Sequence, residues 1–333
     1  MFSELSESEV RKWVFRFYKN IADDPVTLDE VDKSLNEFVS KTTLQNSSCE
    51  FLKYSFAVQY SFEEEFYLFR SAISDTAVNS FYEDALLDWP LNTETRSNIL
   101  QEEMTPKLWT SSFQETSHNT KSILDRLRWI TLGYHYDWDN KIYPPGCESP
   151  FPTRCGQFFS SVASKMLEIV GDNKNLFTGR DYFSNYVPEA SIVNYYRKKT
   201  NMGFHVDDCE VSKRAPLISV SLGRPAIFLL EASSYIPGNL PHENPGTCTK
   251  TIIPILLRHG DIMITGGHSR LAYHAVPRLL SWHQPLNDLP RNFFSNLIEK
   301  FKDRFELDCN RKILEDYVYS TRLNINVRQV VEL

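Results

Sequence analysis

Residues 217 to 230 read Leu-Ile-Ser-Val-Ser-Leu-Gly-Arg-Pro-Ala-Ile-Phe-Leu-Leu. Two short apolar runs are separated here by Gly223, Arg224 and Pro225, and glycine and proline are typical of turns. The pattern predicts two β-strands joined by a turn. A membrane span needs about 20 uninterrupted apolar residues, and Arg224 and two serines interrupt this stretch. We therefore expect a β-rich fold that does not cross a membrane.

Similar short apolar and aromatic runs follow one another from Leu127 onward. Strands are predicted over Trp129 to Tyr136, Ser191 to Tyr196, Leu217 to Leu222, Ala226 to Leu230, and Asp261 to Thr265. Strands of this length with turn residues between them are typical of a β-sandwich or barrel. We expect two insertions, a Pro/Gly/Asn-rich loop at 232–251 and a segment at 281–319 that contains a helix-like stretch from Phe293 to Phe305.

The first 120 residues have a different character. Ser6 and Glu9 have the spacing of a capping box, and apolar residues then recur with helical period, so a helix is predicted there. A second helical pattern covers Phe62 to Ile73. Residues before 120 include 10 basic and 21 acidic side chains, whereas the rest of the chain is slightly basic. These differences predict a mainly helical, acidic N-terminal region (1–120) and a second domain (121–333).

Composition narrows the class of protein. The chain has 333 residues with 41% hydrophobic residues, enough to bury a core, so wholesale disorder is excluded. The six cysteines form no C-x-x-C pair, and no secretory leader is evident, so a reducing intracellular compartment is expected, whether nucleus, cytoplasm or mitochondrion. The formal charge of −7 does not forbid nucleic acid binding, because the local field decides that.

One pair of residues indicates a metal site. His205 and Asp207 are two residues apart, so on a strand both side chains would point the same way. The pair alone is weak evidence, since His135 and Asp137 repeat the spacing. A distal His274 would complete the two-histidine, one-carboxylate set that binds non-haem Fe(II) with open positions. An arginine late in the chain can grip a dicarboxylate through paired hydrogen bonds.

In chain order the motifs are Asn194-Tyr-Tyr196, His205-Val-Asp207, His274 and Arg322-Leu-Asn-Ile-Asn-Val-Arg328. This series closely resembles the AlkB family of Fe(II)- and 2-oxoglutarate-dependent nucleic acid dioxygenases. The wording of the motifs is most similar to the AlkB homologue 1 branch, as is the stretch from Leu127 to Trp138. The resemblance implies an α+β fold, a double-stranded β-helix (jelly-roll) catalytic barrel with an N-terminal helical region and helical insertions.

The resemblance also implies roles for single residues around two cofactors, Fe(II) and 2-oxoglutarate. The catalytic iron would be held by His205, Asp207 and His274. Arg322 would bind the distal carboxylate of 2-oxoglutarate, with Asn194, Tyr196 and Asn324 lining the cosubstrate and Arg328 closing the site beside Asp207.

The implied substrate side is less sharply defined. Tyr134 would stack on the target base or belong to the core, and His135 would lie at the substrate rim or be structural. Cys209 stands where the bacterial founder of the family has a carboxylate that helps to read the base, and Glu210 is a further candidate substrate contact. Basic clusters at 197–199 and 213–214, with Lys121, Arg126 and Arg128, would contact phosphate or lie on solvated loops.

The implied reaction is the O2-dependent oxidation of methylated bases, methyladenine in DNA or methylated bases in tRNA, which releases succinate, CO2 and formaldehyde. The base would be unpaired or flipped, and the protein would act as a monomer. Three alternatives remain open. They are a dioxygenase of protein side chains, a non-catalytic nucleic acid binding protein, and a lyase that uses an amine such as Lys213 or Lys121.

Overall fold

The computed structural model describes residues 5–42, 57–60, 65–114, 122–170, 179–197, 199–234 and 249–332. The α-helices are α1 Glu7–Lys19, α2 Pro25–Phe38, α3 Asp75–Glu83, α4 Pro106–Ser111, α5 Ile123–Arg126, α6 Thr153–Val170, α7 Gly179–Ser184, α8 Pro285–Asp288, α9 Phe293–Phe305 and α10 Arg311–Ser320. The strands are β1 Val39–Thr42, β2 Ala57–Tyr60, β3 Phe66–Phe69, β4 Arg96–Ser97, β5 Trp129–Gly133, β6 Ala190–Tyr196, β7 Met202–His205, β8 Leu217–Gly223, β9 Ala226–Ser234, β10 Thr249–Leu257, β11 Ile262–Thr265, β12 His274–Leu279 and β13 Arg322–Arg328.

The strands form two antiparallel sheets. The large sheet has the order β1-β2-β3-β11-β8-β13-β6-β5-β4, and the small sheet has the order β10-β9-β12-β7. One buried cluster joins Phe66, Leu68 and Met263 of the large sheet to Phe228 and Leu230 of the small sheet. The two sheets therefore pack face to face, which is the jelly-roll arrangement that the sequence predicted.

Strand β9 shows how the sequence divides its side chains between two cores. Ala226, Phe228 and Leu230 belong to the cluster between the sheets. The alternate residues Ile227 and Leu229 pack instead on the outer face, with side chains of α1 and α2. Because side chains alternate along a strand, one apolar run supplies both layers.

Helices cover the outer faces of both sheets. The aromatic side chains Phe81, Phe159 and Phe301 of α3, α6 and α9 belong to the core cluster on the outer side of the large sheet. Helix α1 begins with the predicted capping box, in which Ser6 accepts from the Glu9 amide and Glu9 accepts from the Ser6 amide. Helix α9 has the predicted bounds, and the predicted long loop falls mainly on residues 235–248, outside the described part of the chain.

The helix predicted over Phe62 to Ile73 is wrong, because its described part contains strand β3. All four residues of β3 are buried, and a continuous apolar run does not distinguish a strand buried on both faces from a helix. Strand β3 pairs with β11, and β4 pairs with β5. Strands from both sides of residue 120 therefore share one sheet, so the region before 120 contributes to the same β-sandwich.

Two further features of the fold are helix α6 and the backbone turn at Gly223. Helix α6 has 18 residues, and no sequence pattern had marked it. Gly223 ends β8 with a φ of 78°, where an added Cβ would collide with the carbonyl oxygen of Thr321.

Within the described residues, the helices include none that is long and apolar enough to cross a bilayer.

Candidate active site

Strand β13 places polar side chains inside the sandwich. Its residues Arg322, Asn324, Asn326 and Arg328 line a cavity of about 480 Å³ between the sheets. The alternate residues Leu323, Ile325 and Val327 are buried in the outer core of the large sheet. The sequence pattern R-x-N-x-N-x-R is therefore one polar face of a strand, held in place by its apolar face.

The three predicted metal ligands meet in this cavity. His205 ends β7, and His274 begins β12 directly opposite it in the ladder. Asp207 lies two residues beyond β7, with Oδ1 3.8 Å from His205 Nε2 and Oδ2 3.9 Å from His274 Nε2. One ligand atom from each residue lies within 4.8 Å of the others. This spacing suits three ligands of one metal ion.

The backbone fixes which ring nitrogen of each histidine is free. His205 Nδ1 lies 2.9 Å from the Gly203 carbonyl oxygen, and His274 Nδ1 lies 3.1 Å from the Ala272 carbonyl oxygen. A carbonyl oxygen can only accept, so each Nδ1 carries the proton and donates it. Both Nε2 atoms are left with a lone pair that faces the cavity, as a metal ligand requires.

Electrostatics favour the ligating forms of these groups. Burial lowers the pKa of His274 to about 4, although Asp207 opposes this, so the imidazole is neutral at physiological pH. Burial acts to raise the pKa of Asp207, but Arg328 and the two histidines outweigh it and hold the pKa well below its ordinary value. Asp207 is therefore ionised at physiological pH.

Arg322 lines the same cavity as a buried cation, and no carboxylate of the described residues forms an ion pair with it. Its Nη2 donates to Ser221 Oγ at 2.9 Å, while its Nε and Nη1 atoms are buried and have no hydrogen-bond partner in the described structure. Burial lowers the pKa of Arg322 to about 10, so it stays protonated at neutral pH. Unpaired buried donors on a guanidinium are costly, and a carboxylate of a bound ligand would satisfy them.

The other predicted cosubstrate residues surround Arg322. Asn194 and Tyr196 stand opposite Asn324 and Arg322 in the β6–β13 ladder, and all of them line the cavity. The Asn324 amide donates to Ser219 Oγ at 2.6 Å, which fixes its orientation. The residues present therefore fit Fe(II) at the His-Asp-His cluster and the dicarboxylate 2-oxoglutarate beside Arg322.

Comparison with known proteins agrees with this geometry. Residues 86–328 match the family model of the 2OG-Fe(II) oxygenase superfamily. The chain belongs to this superfamily. It is 33% identical to the human protein named nucleic acid dioxygenase ALKBH1, over 70% of the chain and 55% of that protein, and 30% identical to the fission yeast protein named tRNA demethylase abh1, over 62% and 53%. The match thus spans only about half the length of these relatives.

A shorter match reaches the bacterial branch of the superfamily. The Escherichia coli protein named alpha-ketoglutarate-dependent dioxygenase AlkB is 36% identical over 104 residues, which is 31% of this chain and 42% of that protein. The jelly-roll fold and the ALKBH1-like character that the sequence predicted are confirmed, as are the two cofactors of the superfamily, Fe(II) and 2-oxoglutarate.

The residues that were predicted to contact the substrate lie in different environments in the structure. His135 is buried and has both ring nitrogens engaged, Nδ1 with Thr131 Oγ1 at 2.8 Å and Nε2 with Ser149 Oγ at 3.0 Å. This favours the structural interpretation of His135 over the substrate rim. Tyr134 packs against the small cluster around Tyr143 and does not line the cavity, which favours its core interpretation.

Two aromatic residues of the segment that follows β5, Tyr136 and Trp138, line the cavity together with Tyr196, Phe228 and Tyr273. The rings of Tyr136 and Trp138 meet edge to face with centroids 4.6 Å apart. The Tyr136 hydroxyl lies 3.2 Å from Cys209 Sγ, so Cys209 lies on the cavity wall where the sequence placed it. Tyr134 and Tyr136 would share one face of a continued strand, so their different surroundings depend on the end of β5 at Gly133, where the backbone turns with a φ of 68°.

Glu210 lines the cavity, but its contacts favour a structural role over the substrate contact that the sequence predicted. Its side chain is fully buried and accepts from Arg270 Nη2 at 2.7 Å and from Arg328 Nη1 at 2.8 Å. With both oxygens engaged by arginines, the carboxylate is not available to a substrate. Arg328 lies beside Asp207 as predicted, with Nη2 3.6 Å from Asp207 Oδ2, but Glu210 takes its closest contact.

Several basic side chains that were predicted to contact phosphate are paired with other residues of the protein. Arg197 donates to Ser320 and Thr321 and pairs with Asp125. Arg126 pairs with Glu103. Lys121 and Lys198 lie outside the described residues. These basic clusters therefore offer less free charge than the sequence indicated.

Proposed function

We propose that this chain is an Fe(II)- and 2-oxoglutarate-dependent dioxygenase that oxidises methyl groups on the bases of nucleic acid, in DNA or tRNA, and releases succinate, CO2 and formaldehyde. One observation carries the chemistry: the His205, Asp207 and His274 ligand atoms share a cavity with the uncompensated Arg322 cation. When bound, iron supplies the oxidising chemistry with O2. The protein's own residues hold the iron and the 2-oxoglutarate, orient the base and keep other C–H bonds away from the site.

The nucleic acid substrate is supported by the relatives and by the wall of the cavity. The similar proteins are named nucleic acid dioxygenase and tRNA demethylase. Tyr136 and Trp138 offer aromatic faces to an unpaired base, and stacking on such faces contributes about 1–3 kcal/mol per base. Cys209 stands where the bacterial founder of the family has a carboxylate, and the loss of that carboxylate favours an uncharged methylated base such as N-methyladenine.

Lys141 supplies a cation at the same cavity. It lines the cavity in a left-handed backbone conformation, with a φ of 56°. A tight turn presents it, because the Lys141 amide donates to the Asp137 carbonyl oxygen and Asp137 Oδ1 accepts from the amides of Asp139 and Asn140. We assign Lys141 to a phosphate beside the flipped base. The acidic residues that also line the cavity are Asp207, Asp208 and Glu210.

The decisive experiment is anaerobic reconstitution with Fe(II) and 2-oxoglutarate, then aerobic mass spectrometry of succinate and of modified nucleosides from total tRNA and from methylated, locally unpaired DNA. We expect loss of a methyl mark that requires both cofactors and disappears in His205→Ala and Asp207→Ala, while both variants keep the fold. Full activity in Asp207→Ala would contradict the metal assignment.

The same assay separates the alternatives. Succinate without any nucleoside change would favour a protein substrate, and neither product in iron-loaded protein would favour a binding protein. For the lyase alternative, Lys213 is engaged with the Asp208 carbonyl oxygen and Lys121 is outside the described residues, so no observation supports it.

The substrate wall is tested with matched variants. Tyr136→Ala should raise KM for oligonucleotides about 10-fold or more through lost stacking, whereas Tyr134→Ala should leave it nearly unchanged. Lys141→Ala should reduce the salt dependence of oligonucleotide binding by about one phosphate contact, and the exposed Lys107→Ala is the control. Equal effects of Tyr134→Ala and Tyr136→Ala would contradict the assigned wall.

We also propose that the protein acts as an intracellular monomer. The described cysteines Cys147, Cys155, Cys209 and Cys309 are free thiols, as a reducing compartment allows. Light scattering coupled to size-exclusion chromatography tests the mass. Imaging of the tagged protein would assign nucleus, cytoplasm or mitochondrion.

A further inference from the structure

The three metal ligands are held by different means. His205 and His274 belong to paired strands, so the β7–β12 ladder fixes their backbone. Asp207 lies beyond the end of β7, in a segment without regular structure that continues to β8. Some other interaction must fix the position of its carboxylate, because ligand geometry decides metal affinity.

A ring of four charges provides that interaction. Arg270 donates through Nη1 to the backbone carbonyl oxygen of Asp207 and through Nη2 to Glu210 Oε2. Arg328 donates through Nη1 to Glu210 Oε1 and lies 3.6 Å from Asp207 Oδ2 through Nη2. Each arginine therefore joins Glu210 to Asp207, one at the backbone and the other at the side chain.

The ring is rigid because it is buried. The side chains of Arg270 and Glu210 are both 0% exposed. The Arg270 Nε donates to the Ala215 carbonyl oxygen at 3.1 Å, so this one guanidinium spans the irregular segment from Asp207 to Ala215. Buried charges keep such contacts because breaking one leaves an uncompensated charge, at a cost of about 3–5 kcal/mol.

Glu210 also decides where Arg328 is directed. Arg328 Nη1 is 2.8 Å from Glu210, whereas its Nη2 is 3.6 Å from Asp207. Without Glu210, Arg328 would be free to close on Asp207 and compete with a metal ion for the same oxygen. Asn326 Nδ2 donates a hydrogen bond to the same Asp207 Oδ2 at 3.3 Å.

We propose that Glu210 and Arg270 are positioning residues for the metal centre: they hold the Asp207 segment and keep Arg328 from neutralising the ligand carboxylate. This inference rests on the proposed function only through the metal site, and it does not depend on the substrate. Neither residue touches the metal or substrate in this role. Outer partners of this kind typically change metal affinity about 10- to 100-fold.

The test measures metal affinity rather than turnover. Mn(II), a redox-stable ion that suits oxygen and imidazole ligands, is titrated into the full chain and free Mn(II) is followed by electron paramagnetic resonance. Glu210→Gln should bind Mn(II) about 10- to 100-fold more weakly than the wild type. The affinity of each Mn(II)-loaded protein for 2-oxoglutarate should change much less, because Arg322 is untouched.

A second variant covers the case in which Glu210→Gln does not fold. The double variant Glu210→Gln/Arg270→Met removes one buried charge of each sign, a change that proteins often tolerate. It should fold and still bind Mn(II) weakly, because the Asp207 segment has lost its clamp. Asp84→Asn is the control, since it breaks the Asp84–Arg154 ion pair in the outer layer and should leave Mn(II) affinity unchanged.

The outcomes distinguish the inference from the proposed function. Wild-type protein that binds no Mn(II) would contradict the metal site itself and this inference with it. Wild-type binding with unchanged affinity in a folded Glu210→Gln or double variant would overturn the positioning role alone. An equal loss of affinity in Asp84→Asn would show a general effect of stability and would also overturn it.

Discussion

Arg322 and Arg328 lie six residues apart on the same face of β13, and both are buried at the cavity. Glu210, Asp207 and the Tyr143 hydroxyl surround Arg328, with the last at 3.2 Å. Arg322 has no carboxylate partner in the described structure, and only a serine hydroxyl accepts from it. Burial acts to lower both pKa values, but the anionic neighbours of Arg328 raise its pKa, whereas the pKa of Arg322 falls to about 10.

The contrast teaches how a buried polar group can be interpreted. A compensated charge belongs to the architecture, and an uncompensated one in a cavity indicates a missing ligand. Two imidazoles repeat the contrast, since both ring nitrogens of His135 have partners, whereas His274 keeps Nε2 directed into the cavity. In each pair we assign to cofactor binding the member without a compensating neighbour. Arg328 also has a buried Nε without a hydrogen-bond partner in the described structure, but Glu210 and Asp207 lie beside it.

The largest expected effect comes from removing the charge of Arg328, which has carboxylate neighbours. Arg328→Met should lower the free energy of unfolding by about 3–5 kcal/mol, because Glu210 and Asp207 lose a buried partner. Arg322→Met should change it by less than about 1 kcal/mol, since the variant removes a cation that the fold does not neutralise. Urea denaturation of the cofactor-free proteins measures both, and equal destabilisation would contradict the contrast.

The second effect concerns the binding of 2-oxoglutarate. Arg322→Met should weaken 2-oxoglutarate binding to Mn(II)-loaded protein by about 100-fold, because two charge-assisted hydrogen bonds of about 1.5 kcal/mol each are lost. Isothermal titration calorimetry measures the affinity. Arg322→Lys should recover part of it, since a lysine keeps the charge but not the paired geometry. Wild-type affinity in Arg322→Met would place the cosubstrate elsewhere.

How far the sequence predicted this site depends on the regularity of the backbone. Strand residues were predictable, because alternation places Arg322, Asn324 and Arg328 on one face once β13 is assigned. His205 and His274 followed from the motif order of the AlkB family. These residues can be predicted from strand periodicity and from the resemblance to the family.

The remaining residues depend on contacts between distant segments. Glu210 lies three residues beyond Asp207 on irregular backbone, and its orientation is decided by Arg270, 60 residues later. Tyr136 replaces Tyr134 at the cavity because the chain turns at Gly133 and strand parity is lost. The sequence of β3 favours a helix over a strand because a strand buried on both faces lacks polar alternation. None of these facts can be predicted from local spacing.

The smallest expected effect concerns His135, whose two ring nitrogens both have hydrogen-bond partners. Burial lowers the pKa of His135 to about 4, whereas an unfolded histidine titrates near 6.5. As the pH falls from about 6.5 toward 4, the unfolded chain takes up a proton that the folded protein does not, so this histidine makes stability fall with pH. Between pH 7 and pH 5 the difference is about 2 kcal/mol.

His135→Asn removes this titration. The free energy of unfolding of the variant should therefore fall about 2 kcal/mol less than that of the wild type between pH 7 and pH 5, although the variant is less stable at pH 7 because it loses hydrogen bonds to Thr131 and Ser149. Urea denaturation at the two pH values, without added metal, measures the difference. An equal fall in both proteins would mean that His135 is protonated inside the folded protein, and its assignment as a satisfied, neutral imidazole would be wrong.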